Sequence, residues 1–423
     1  MVSQVRHNVL AFGGSCVVTF VVALSVSAAT LTTASATRSA RSDVPDMSSA
    51  GTESSPTTAS VGEATTIDDA STPTTPTTVV SENLGSKGAV TSTTPTVALA
   101  KSVATTRPPT ATGEPRDTKT TCIYTRHDMR AMARFAKQVG RPFSCALVYN
   151  NAAPGWKDWA KPWFVVHGDP NFNWAQWTVA EPGRTLIISQ SLIPTGAPRD
   201  WRQRGAAGEF DVHIRALSGS LVDAGLGNAV IRLAFEANGP WMIDSLGKTS
   251  AERESWRMYW RRFVKVVREI PGANFEFDWT VNAGYQALAL DSYYPGDDVV
   301  DIIGVDAYDS SVRRDSYASP QQRWDRIAQQ PGGLLEVLAF AKQHGKPLSI
   351  PEWGLAAVGA PMYGAGDNAR YVDGIAEVVR TNRVRYHSYF LSPTGGIRMT
   401  FDNAPRSLAA YRRHFGANGD SVR

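Results

Sequence analysis

The stretch 229-AVIRLAFEANGPWM-242 begins as a buried strand and ends as something else. Its first seven residues are apolar except for Arg232, and the run delivers a carboxylate, Glu236, at its end. Asn238-Gly239 then turns the chain and Trp241 follows. A second run, 347-PLSIPEWG-354, does the same with Glu352. Working outward, further β-rich runs are 121-TCIYT-125, 143-FSCALVY-149, 184-RTLIIS-189, 274-NFEFDWTV-281, 300-VDIIGVDAY-308 and 385-RYHSYFL-391. Helical patterns separate most of them, at 127–140, 211–225, 251–270, 333–345 and 368–382, with Gly140, Gly225 and Gly345 standing where helices end. Eight strands alternating with helices predict an α/β fold, a (β/α)8 TIM barrel over residues 120–423. In such a barrel, residues 155–177 read as helix, loop or both. An open doubly wound sheet is the alternative, and the absence of any glycine in 121-TCIYTRHDM-129 speaks against it.

The chain has 423 residues and a formal net charge of +4, too little to imply a nucleic-acid partner, and no Lys/Arg cluster alternates with aromatics. Arg6 precedes the uncharged run 8-NVLAFGGSCVVTFVVALSVSAAT-30, and Ala34-Ser35-Ala36 matches a small-x-small cleavage pattern. Residues 1–36 therefore read as a secretory signal or, uncleaved, a membrane anchor, and a secreted or cell-surface protein is expected. Residues 37–119 are rich in Ser, Thr and Pro, as in 71-STPTTPTTVV-80, and are expected to be a disordered linker. That segment is a candidate tether to a cell wall or membrane. Export leaves Cys122 and Cys145, read as one disulfide or as two reduced core thiols.

Reactive groups of a barrel come from the carboxyl ends of its strands. Glu236 and Glu352 end the fourth and seventh strands, and two facing carboxyls are what a glycosidase needs. Each alone is equally at home capping a helix or pairing with a buried arginine such as Arg232; together they point to chemistry. Glu276, Asp278, Asp306 and the pair Asp297/Asp298 compete, the last pair as turn caps. The seven histidines are scattered with no HExxH, and no GxSxG, dinucleotide or phosphate-loop motif is complete. No metal and no cofactor is expected.

With these residues in view, 232-RLAFEANGPW-241 resembles the acid/base motif of glycoside hydrolase family 26. The stretch 293-YYPGDDVVDIIGVDAY-308 is similar to that family's approach to its sixth strand, and 351-PEWG-354 to its nucleophile motif. The resemblance implies a retaining endo-β-glycanase acting on polysaccharide, most often β-1,4-mannan, with mixed-linkage β-glucan and β-1,3-xylan as other family substrates. It implies Glu236 as general acid/base, Glu352 as nucleophile, and Tyr308 as a hydrogen-bond donor to that nucleophile. Asp306 would support a sugar subsite, Trp241 would stack on sugar or wall the cleft, and Asn238 with Gly239 would shape that loop.

The chain departs from the family in three places. Phe235 stands where the family has histidine, Trp353 where it has phenylalanine, and the family's eighth-strand tryptophan is replaced by Tyr389 or Phe390 of 385-RYHSYFLSP-393. A monomer is expected; a transglycosylase using the same pair, and a catalytically silent sugar-binding or wall-associated protein that keeps the barrel, are the rival readings.

Overall fold

The computed structural model describes residues 120–150, 153–285, 288–310, 319–358, 364, 366–393 and 398–417. The expected signal and linker at 1–119 lie outside the described residues. Among those described, no helix is long and apolar enough to cross a membrane. Eight strands, β1 (Thr120–Tyr124), β2 (Cys145–Asn150), β3 (Thr185–Gln190), β4 (Val230–Leu233), β5 (Glu276–Asn282), β6 (Ile302–Asp309), β7 (Leu348–Leu355) and β8 (Val384–Phe390), pair in chain order. All pairings are parallel, and β8 closes on β1. The predicted TIM barrel is the fold.

Local chemistry sets the elements. Helix Met129–Val139 starts where the Asp128 side chain accepts from Arg130 N–H, and it stops at Gly140, whose φ of 77° suits a residue without a Cβ. Helix Ser250–Arg268 opens with a reciprocal Thr249/Glu252 capping box. Residues 155–177 hold three short helices, Trp156–Ala160, Trp163–Val166 and Trp174–Val179, with loop between. Three helices went unread in the sequence: Trp201–Ala207, Pro320–Gln329 and Pro405–Phe415.

Alternation along the strands divides the interior in two. Outward residues such as Ile123, Ala146, Ile188 and Trp279 join a large core beneath the helices. Cys122, Tyr124, Cys145, Leu147, Ile187, Val230, Ile302 and Tyr386 form a second core inside the barrel. Cys122 and Cys145 neighbour each other on β1 and β2 and are joined by a disulfide.

One expectation fails in a useful way. The strand read as 229–236 ends at Leu233. Ala234 and Glu236 adopt left-handed φ values of 50° and 52°, so the backbone leaves the ladder before the glutamate. Alternation from Arg232 would send Phe235 out toward the helices. Instead Ala234 joins the outer core, while Phe235 lies under Arg232 and against Tyr149. The break delivers two consecutive side chains, Phe235 and Glu236, to the barrel mouth.

Candidate active site

Arg232 is the hub. Its side chain is wholly buried at the carboxyl end of β4. One guanidinium nitrogen donates to Glu352 Oε1 at 2.5 Å and to Ser189 Oγ at 3.0 Å; the other donates to Asp306 Oδ2. The Phe235 ring stacks on this guanidinium, 4.4 Å from centroid to Cζ.

Glu352, on β7, is held from three sides. Besides Arg232, Tyr149 donates to Oε1 and Tyr308 to Oε2, both at 2.5 Å. Three donors, one of them a guanidinium, converge on that carboxylate. Glu236 is treated differently. Asn282 Nδ2 donates to Oε1 at 2.6 Å and Trp241 Nε1 to Oε2 at 3.0 Å, and no cation touches it directly among the described residues. Burial, and then the charge of Glu352, push its pKa above the ordinary carboxylate value, while Asn282, Trp241 and Arg232 pull the other way. The two buried glutamates thus differ by environment: one is wrapped in donors, the other is desolvated beside a negative charge.

One carboxylate oxygen each from Glu236, Asp306 and Glu352 lies within 4.8 Å of the others. Such a cluster has the outline of a cation site, but the Arg232 guanidinium already occupies the charge-balancing place between Asp306 and Glu352. Asp306 is buried with Oδ2 on Arg232 and its carboxyl beside Glu236, and desolvation raises its pKa well above the usual range.

The other expected residues fall around this centre. Asn238 spends its side chain on the exit of β5: Nδ2 donates to the carbonyls of Asn282 and Tyr285, and Oδ1 accepts from Asn282 N–H. It shapes the loop and has no amide to spare. Trp241 packs its indole over Gly239, where a Cβ would come within 2.3 Å of the ring, and sits edge-on to Tyr285 at 5.0 Å. Its N–H is committed to Glu236. Of the eighth-strand alternatives, Tyr389 is buried in the outer core. Phe390 lies by the site, with ring centroids 4.3 Å from Tyr124 and 5.7 Å from Tyr308. Of the competing carboxylates, Glu276 pairs with Arg385 and Asp298 with Arg261, away from this centre, whereas Asp306 is part of it.

Tyr149 and Asn282 were missed. Tyr149 is next to last in β2 and Asn282 is last in β5, at the same end of the barrel as the glutamates, and that position was the signal that would have found them.

The comparisons bear on the family and the fold. The sequence profile of glycosyl hydrolase family 26 matches residues 220–344, which include Glu236, Asp306 and Tyr308 and stop short of Glu352. A β-1,3-xylanase of Alcaligenes sp is 33% identical over 186 residues, covering 41% of this chain and 34% of that protein. Endoglucanase H of Acetivibrio thermocellus is 25% identical over 197 residues, covering 45% of this chain and 20% of the other. The chain thus spans about a third or less of the length of these curated relatives. Among solved structures, the catalytic domain of a Bacillus sp. family 26 endo-β-1,4-mannanase shares the fold with a TM-score of 0.50 at 16% identity, over 72% of this chain and 88% of that one. The motifs, the closed parallel barrel and the profile over residues 220–344 agree, and glycosyl hydrolase family 26 is the family this chain matches.

Proposed function

We propose that this protein is an exported retaining endo-β-glycanase. The observation that carries the reading is the approach of Glu236 and Glu352 to within 4.8 Å. Retaining glycosidases hold their carboxyls about 5–5.5 Å apart, whereas inverting enzymes need about 6.5–9.5 Å to admit water. A Glu352 oxygen attacks the anomeric carbon from one face. The bond to the leaving sugar breaks as Glu236 passes its proton to the glycosidic oxygen. Glu236, now ionised, takes a proton from water, whose oxygen attacks the same carbon and releases Glu352. The environments suit these parts: Arg232, Tyr149 and Tyr308 donate to Glu352, and desolvation favours the protonated form of Glu236.

The substrate we propose is β-1,4-mannan, and the likeness to an Alcaligenes β-1,3-xylanase favours β-1,3-xylan as the second reading. Export is supported by the apolar run 8–30 with its cleavage pattern and by the Cys122–Cys145 disulfide. A polysaccharide panel with product sizing and anomeric NMR tests the whole reading. Mannan, mixed-linkage glucan and β-1,3-xylan are offered to the wild type, Glu352→Ala and Glu236→Ala. Glu352→Ala should abolish turnover on the cleaved glycan, and Glu236→Ala should slow natural glycans far more than glycosides with activated leaving groups. Full activity in either variant, or inverted product, refutes it.

A further inference from the structure

Below the glutamates, inside the barrel, lies a carboxylate that the proposed chemistry leaves unused. Asp278 on β5 is completely buried. It accepts three hydroxyl protons: Thr280 at 2.8 Å, Ser349 at 2.6 Å and Tyr386 at 2.6 Å. Among the described residues no Lys, Arg or His forms an ion pair with it. A lone carboxyl in such a place is costly, and an apolar residue would fill the space more cheaply.

The barrel makes room for it deliberately. At Gly304 of β6 a Cβ would lie 2.5 Å from Thr280 Oγ1, 2.6 Å from Ser349 Oγ and 2.7 Å from Asp278 Oδ1. A side chain is left out where three strands bring these polar groups together.

The consequence runs upward. A threonine hydroxyl has one proton. Thr280 gives it to Asp278, so toward Arg232 it can present only a lone pair, and Arg232 Nε–H donates to it at 3.2 Å. Were that proton free to turn upward, it would oppose Nε–H, donor against donor. The guanidinium is planar, so fixing the direction of Nε–H fixes both terminal nitrogens, which hold Glu352 and Asp306. We propose that Asp278 is a positioning residue for Glu352, acting through the Thr280 hydroxyl and the plane of Arg232. This rests on the reading of Glu352 as nucleophile. Among the described residues, the titratable and charged groups facing this column are Arg232 from β4 and Tyr386 from β8; above Arg232 stand Glu352 with Tyr149 and Tyr308, Asp306 and Glu236.

The test measures kcat and KM of Asp278→Asn, Thr280→Val and Thr280→Ser beside Glu352→Ala, with thermal unfolding of each. Misplacing a reacting group by about 1 Å costs up to about 100-fold. The expected result is a kcat loss of about 10- to 100-fold in Asp278→Asn and Thr280→Val with KM within about twofold. Thr280→Ser should recover most of the rate. A merely space-filling Asp278 would move unfolding temperature and leave kcat in place, which overturns the proposal. So does wild-type kcat in folded Thr280→Val, the variant that decides the matter if Asp278→Asn fails to fold. Retained turnover in Glu352→Ala condemns the nucleophile assignment instead.

Discussion

Asn282 offers the sharpest handle on the acid/base group. Its amide donates to Glu236 Oε1 at 2.6 Å, and removing it in Asn282→Ala takes a stabilising contact from the ionised glutamate and almost none from the protonated one. A hydrogen bond to a charged group contributes about 1.5–3 kcal/mol, and 1.36 kcal/mol is one pKa unit, so the Glu236 pKa should rise by roughly one to two units above its already raised value. The half-buried position of Asn282 favours the lower end. The loop itself should hold, because Asn238 grips the Asn282 backbone and not its side chain. A proton donor with a higher pKa stays protonated longer, so the alkaline limb of kcat/KM for a natural glycan moves up by about one to two pH units. The second step needs the carboxylate, so kcat on a glycoside with a good leaving group falls about tenfold per unit on the acid side. Azide, which attacks without a general base, should restore that kcat. Initial rates from pH 4 to 10, with and without azide, decide the question. An alkaline limb that stays put or moves down refutes the role given to Asn282.

Trp241→Phe removes the longer 3.0 Å donor to the same carboxyl, so the alkaline limb should move up by less than in Asn282→Ala, read in the same assay. Asp244 is buried with one oxygen on Leu192 N–H, and burial raises its pKa from 3.8 to about 6. A raised carboxyl pKa means the folded state holds the proton better. Its contribution is therefore complete below about pH 4 and is lost as pH rises through about 6. Denaturant melts should show Asp244→Asn gaining on the wild type by up to about 3 kcal/mol between pH 4 and pH 7. The disulfide closes a separation of 23 residues, so Cys122→Ser/Cys145→Ser should lose about 3 kcal/mol in the same melts.

The barrel was legible because its strands carry the right period and its helices end where glycine permits a left-handed residue. Helix Pro320–Gln329 was legible too and went unread, since Ser319, Pro320 and Gln322 spell a capping box. The two glutamates stood out because each closes an apolar run. Part of what supports them did not. Ser189 and Thr280 sit on strands whose polar positions look like ordinary alternation, and only barrel closure turns them toward one axis. The register irregularities were equally hidden. Ser349 and Glu352 both face inward although three residues apart, and the pairing of β7 with β8 shifts between Ile350 and Trp353, around Pro351. Both glutamates follow a break in the period of two, a rule that pattern reading assumes unbroken.

The break at β4 can be tested by stability alone. Ala234 is buried in the outer core with φ of 50°, its N–H on the Gln190 carbonyl, and Glu236 N–H reaches the Thr280 carbonyl. For an ordinary L-residue that conformation costs about 1–2 kcal/mol. Ala234→Gly removes the strain but loosens the unfolded chain by about 0.4–1 kcal/mol, so net stability should change by no more than about 1 kcal/mol. Ala234→Val keeps the strain, worsens it by β-branching and forces two extra carbons into a filled core, for a loss of about 2–4 kcal/mol. A regular strand through Glu236 would reverse that order, since valine is favoured and glycine disfavoured on a pleated surface. Urea melts in which Ala234→Val matches or exceeds Ala234→Gly would mean that the chain does not turn at this point, and that Phe235 faces the helices rather than Arg232.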